Sequence, residues 1–173
     1  IVSTHVGLFV LVAALMLLHS KTDSMDFRAF GTFLAQPDPA RGTLFLLLGV
    51  AFALKAAFFP FHTWLPRAHS AAPSHVSALM SGVMLKVALY GILRVGLDLL
   101  APAAGPFPPG WGWTVLVLGS TSAVIGVLYA LQQHDLKRLL AFHSIENVGI
   151  ILMGLGMAML LARRGSAADA LAA

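Results

Sequence analysis

Five apolar stretches, each long enough to cross a bilayer, follow one another along the 173 residues: 1–18, 43–59 with a broken continuation to 70, 76–97, 111–131 and 136–162. About 20 apolar residues in a helix cover the ~30 Å of a hydrocarbon core. In lipid the backbone has to satisfy its own hydrogen bonds, so a chain built this way folds as helices or as a closed barrel. A barrel shows short segments of alternating polarity, and none occur here. The expectation is an all-α, polytopic integral membrane protein of about five transmembrane helices, one of them broken by proline, forming a single membrane domain over 1–173. Composition agrees: 58% of residues are hydrophobic and 10% charged, against about 25% charged in a soluble domain. No Asp, Glu, Lys or Arg lies between Asp98 and Asp135. The chain opens on Ile1 directly into an apolar stretch, with no basic lead and no small-residue cleavage site, which does not read as a signal peptide. With an odd number of spans, the expectation is a fragment of a longer polytopic chain.

The absence of cysteine excludes disulfides, thiolate metal sites and thiol catalysis. A net charge of +4 rests on eleven Lys and Arg, several inside apolar runs, so no basic stripe faces solvent and nucleic acid is not an expected partner. No nucleotide loop, Cys cluster or metal-ligand spacing appears, so no cofactor and no metal are expected in this chain. Lys21, Arg28 and Arg41 share their connection with Asp23, Asp26 and Asp38, which leaves the orientation in the membrane open. Pro-rich punctuation at 36–39 and 101–110 bounds the spans. Trp111 and Trp113 follow the second cluster and fit an interfacial aromatic belt.

The second stretch is unusual, because the apolar helix bearing Lys55 runs into Phe58-Phe-Pro-Phe-His-Thr-Trp-Leu-Pro66 without reaching a polar loop. Pro60 and Pro66 each lack a backbone donor and clash one turn back, so a helix break is expected, with carbonyls near 56 and 62 losing their partners. At membrane depth such groups are tolerated only inside protein or beside a water-filled cavity. Lys55 lies five residues before the break. Its bland alternative is snorkelling to an interface.

Lys86 sits mid-way along Val76–Leu97, ten residues from its nearer end. A lysine at a helix centre costs about 2.5 to 3.5 kcal/mol on insertion scales. Further ionisable groups share the spans: His143 and Glu146, with His62, His69 and His75 in the broken segment and Lys137 at the start of the last span. His143, Glu146 and Asn147 are three and four residues apart, so one helical face can carry all three. The alternative for Glu146 is a static hydrogen bond or ion pair, and for any single histidine a satisfied core position. Burial disfavours a charged lysine, so a desolvated lysine can take up and release a proton where arginine cannot. Neighbouring charges bias that exchange, and histidines with waters supply intermediate hops.

Lys55 with PFHTWLPRAHSAAPSHVSALMSGVMLKVALYGILR, followed by DLKRLLAFHSIENVGIILMGLG from Asp135, closely resembles the antiporter-like proton-translocating subunits of respiratory complex I, Mrp-type cation/proton antiporters and energy-converting hydrogenases. The wording around His143 and His69 looks most like the hydrogenase-4 component B and formate hydrogenlyase branch. The resemblance covers nearly the whole chain, and its most specific part is the 31-residue spacing from Lys55 to Lys86 across PFHTWLP. It implies that Lys55 and Lys86 are proton-relay residues in a charged row along the bilayer midplane. Lys137, of the Asp-x-Lys-Arg motif, His143, Glu146, His62, His69 and His75 are possible further relay residues. The family's row also uses a glutamate on an earlier helix and a charged residue on a later one, and neither is present. No internal repeat is visible in the letters.

The resulting expectation is a non-redox, proton-translocating subunit of a redox-driven complex, of hydrogenase or NADH dehydrogenase type, in a prokaryotic plasma membrane. Its partners would be other membrane subunits and redox subunits. A Na⁺/H⁺ antiporter subunit is the alternative within transport, and a structural scaffold with static ion pairs is the alternative from another class.

Overall fold

A computed structural model describes residues 2–34, 39–95 and 109–163. Among these the chain is helical, without strands: α1 Val2–Thr22, α2 Phe27–Leu34, α3 Ala40–Ala56, α4 Trp64–Ala71, α5 Ser74–Leu79, α6 Leu85–Leu93, α7 Pro109–Leu131 and α8 Leu136–Arg163. A 3₁₀ turn, Phe61–Thr63, leads into α4, and a π-helical turn, Met80–Met84, joins α5 to α6. Five helical units are long and apolar enough to span a membrane: Val2–Thr22, Ala40–Ala71, Ser74–Leu93, Gly110–Leu131 and Leu136–Leu161. The first extends past the sequence boundary at 18, and the third continues beyond Leu93 as a π turn at 94–95, with 96 and 97 outside the described residues. Most of the two Pro-rich connections lies outside the described residues.

α2 was not expected, its segment having read as part of a polar connection. Phe30 and Phe33 turn an aromatic edge inward, Phe30 buried in the core and Phe33 packed against it. Trp111 also makes a packing contact between helices. Its indole stacks on Phe45 with ring centroids 4.0 Å apart and planes 5° from parallel, so the ring serves packing between α3 and α7. Trp113 remains exposed.

The core lies where α1, α3, α6 and α8 meet, around Ala14, Leu18, Leu44, Leu48, Leu152 and Met159. A second cluster, Ala57, Leu65, Leu85 and Ile145, packs the break in α3 and α4 against α6 and α8.

α7 and α8 form a hairpin closed by residues 132–135. Gly112, Gly119 and Gly126 recur every seven residues on α7, and Gly149 and Gly156 do so on α8. A Cβ on Gly119 would lie 2.8 Å from the Gly149 carbonyl oxygen, one on Gly126 2.8 Å from the Glu146 nitrogen, and one on Gly156 2.6 Å from the Leu116 nitrogen. Lipid supplies no hydrophobic drive between helices, so contact of this closeness, available only without side chains, is what holds the pair. The seven-residue repeat keeps the seam facing its partner.

Candidate functional site

The break begins at Ala57, whose left-handed backbone (φ 55°, ψ 36°) ends α3 while its amide still bonds the Ala53 carbonyl at 3.0 Å. Phe59–Pro60 is cis. Three backbone groups at the break find partners, as burial favours. The Trp64 indole donates to the Leu54 carbonyl at 3.1 Å, and the Phe61 amide to the Phe58 carbonyl at 2.7 Å. The Phe59 amide donates across to the Ser122 hydroxyl on α7 at 3.3 Å, and Ser122 donates to the Ile145 carbonyl on α8, also at 3.3 Å. The interruption is thus centred on residues 57–63. Pro66, expected to break the helix, lies in the first turn of α4, where its missing donor removes no intrahelical bond.

Lys55 is half-buried in the last turn of α3, where the helix end favours a cation. Lys86 lies on α6, two residues beyond the π-helical turn, in which the Leu85 amide reaches five residues back to the Met80 carbonyl. α3 packs against α6, so the helices bearing the two lysines are neighbours. Neither ammonium has a hydrogen-bond or ion-pair partner among the described residues. Lys86 is exposed in this chain rather than buried. It lines a polar cleft of about 270 Å³ with Ser81, Gly82, Leu85, Ser144, Asn147 and Val148. That volume accommodates several waters at the ~30 Å³ each occupies in the liquid.

His143 and Glu146 do not reach a lysine. The His143 Nδ1 and Glu146 Oε2 are paired at 2.7 Å, with His143 half-exposed. Asn147, on the same face, turns to the Lys86 cleft.

The three histidines of the broken segment separate. The His62 ring lies 5.5 Å from Phe59 and 6.4 Å from Tyr129, which in turn stacks on Phe142 at 5.4 Å. His69 is buried on α4, its Nδ1 bonded to the Ser77 hydroxyl on α5. His75 is exposed in the first turn of α5. Lys137, at the start of α8, donates from Nζ to the Ala72 carbonyl at 2.8 Å.

Sequence reasoning missed Ser122, Ser144, Tyr129 and Ser77. A signal existed for the first, since Ser120-Thr-Ser122 interrupts an apolar helix. Ser120 and Thr121 bond their own helix at Leu116 and Val117, and only Ser122 reaches other elements. Among the described residues no three His, Asp or Glu side chains converge as metal ligands would.

These features define a polytopic, all-α membrane protein with a discontinuous helix and ionisable groups at mid-span. The chain belongs to the family of NADH:quinone oxidoreductase/Mrp antiporter transmembrane proteins, whose model matches residues 1–168. It is 49% identical over 155 residues to hydrogenase-4 component B of Escherichia coli K12, covering 90% of this chain and 23% of that protein. It is 40% identical over 152 residues to formate hydrogenlyase subunit 3 of the same strain, covering 88% and 24%. To NAD(P)H-quinone oxidoreductase chain 4-2 of Synechocystis it is 37% identical over 152 residues, covering 86% and 26%. The chain therefore spans about a quarter of the length of the curated relatives it matches.

Proposed function

We propose that the chain is part of a proton-translocating, antiporter-like membrane subunit of a redox-driven complex in a prokaryotic plasma membrane. The observation that carries this reading is Lys86: a lysine midway along a spanning helix, without an ion-pair partner among the described residues, on a polar cleft roomy enough for water. An ammonium facing water can give up and regain a proton, and Ser81, Ser144 and Asn147 offer groups that order such water. Lys55, on the neighbouring helix at the break, is the second relay residue, with His62, His69, His75, His143 and Glu146 as candidates for further hops. The redox chemistry belongs to partner subunits, and other helices supply the carboxylates that bias the lysines. The names of the relatives above favour a hydrogenase-4, formate hydrogenlyase or NADH:quinone oxidoreductase type of complex.

The test is redox-driven acidification in proteoliposomes of the whole complex. Lys86→Ala abolishes it while assembly stays intact, and undiminished pumping would defeat the relay. Replacing Na⁺ by choline leaves transport unchanged, whereas arrest without Na⁺ would make the protein a Na⁺/H⁺ antiporter subunit.

A further inference from the structure

Lys137 occupies the first turn of α8. Its amide is capped by the Asp135 carboxylate at 3.0 Å, and the same carboxylate lies 4.0 Å from Arg138. Its side chain takes a different direction, crossing to the Ala72 carbonyl 65 residues earlier in the chain. Ala72 is where α4 stops, in an extended conformation (φ −79°, ψ 147°), and Pro73 follows. α5 begins afresh beyond it, with the Ser77 amide bonding the Pro73 carbonyl at 3.0 Å. The Ala72 carbonyl thus stands at the end of one helix and outside the next. A cation there satisfies an orphan acceptor and lies at the negative end of the α4 dipole. The pairing of His69 with Ser77 clasps the same elbow from α4 to α5.

Both walls of the Lys86 cleft are hung from this point. Ser144 stands seven residues, two helical turns or about 10 Å, along α8 from Lys137. Ser81, Gly82 and Lys86 belong to the unit that starts at Ser74, directly after the elbow.

We propose that Lys137 is a positioning residue. Its ammonium, fixed on the Ala72 carbonyl, sets the register of α8 against the elbow and with it the width of the Lys86 cleft, and it keeps its proton throughout. Its effect on transport rests on the proton-translocating reading above, and its effect on geometry does not.

The experiment uses the full-length protein in its complex, with Lys137→Arg and Lys137→Met. Arginine remains a charged donor but cannot release its proton. Cysteines placed at Ser81 and Ser144, on the two walls of the cleft, are cross-linked in membranes with a short bifunctional thiol reagent, in a background otherwise free of reactive cysteine. Lys137→Arg is expected to match the wild type in cross-link yield, proton transport and pH profile. Lys137→Met is expected to lower the yield and to slow transport roughly tenfold or more, as misplacement of a transfer group does. Wild-type cross-linking in Lys137→Met would overturn the register role. Loss of transport in Lys137→Arg with cross-linking intact would show that Lys137 itself releases a proton, and would overturn the proposal equally. If Lys137→Met does not accumulate, the arginine variant decides alone. If even the wild type moves no protons, the functional reading fails and the cross-link comparison still decides the geometry.

Discussion

The Phe59 amide, stranded where the second span breaks, donates to the Ser122 hydroxyl 63 residues further on. One side chain on α7 thereby completes a backbone that its own segment leaves open, and its own proton goes on to the Ile145 carbonyl of α8.

Ser122→Ala leaves the Phe59 amide unsatisfied inside the bundle, which destabilises by about 1–3 kcal/mol. Hydrogen exchange at Phe59 accelerates and the thermal midpoint falls. Ser120→Ala, which removes only a bond within α7, leaves both unchanged. Equal behaviour of the two variants would remove Ser122 from its bracing role.

Gly149→Ala places a methyl 2.7 Å from the Gly119 carbonyl oxygen. The helices must part, at a cost of about 1–3 kcal/mol typical of overpacking. Gly110→Ala enters open space on the same hairpin and is neutral. Thermal denaturation in detergent, run on both variants, checks the contrast.

Trp64→Phe keeps a ring in place and deletes the donor to the Leu54 carbonyl. Because that carbonyl lies one residue before Lys55, the expected result is a loss of about 1–2 kcal/mol together with faster labelling of a cysteine placed at Lys55. Unchanged labelling would separate the indole bond from the geometry of the break.

Asp135→Ala removes the cap on the Lys137 amide and costs about 1 kcal/mol. Asp135→Ser restores most of it, since a hydroxyl caps the same amide. A serine variant no better than alanine would assign the loss to the carboxylate near Arg138 instead.

The spans were legible because length and apolarity alone decide what crosses a bilayer, and the break was legible because proline has no donor wherever it stands. Pro66 shows the limit of that reasoning: the same missing donor matters in a helix interior and is harmless in a first turn, and only the chain's actual restart at Trp64 tells which applies. The glycine repeat of α7 and α8 passed unnoticed, since a glycine marks a close approach only once its partner is known. The choice among polar residues was equally hidden. Ser120 and Ser122 have the same chemistry, and the rotation of α7 alone decides which one meets the break. His143 and Glu146 were expected on one face, and their spacing permits the pair that forms. That Asn147 rather than Glu146 would face the Lys86 cleft depends on how α8 rolls against α6, which the letters do not encode.

The glycine seam has a mechanical consequence. Two helices whose backbones touch along their length resist bending as one beam, and Ser122 rivets that beam to the break. A sideways push on α8 would reach Phe59 through the single short side chain of Ser122. The Ser74–Leu93 unit has no such seam among the described residues, and its helix widens at the π turn Met80–Met84, two residues before Lys86.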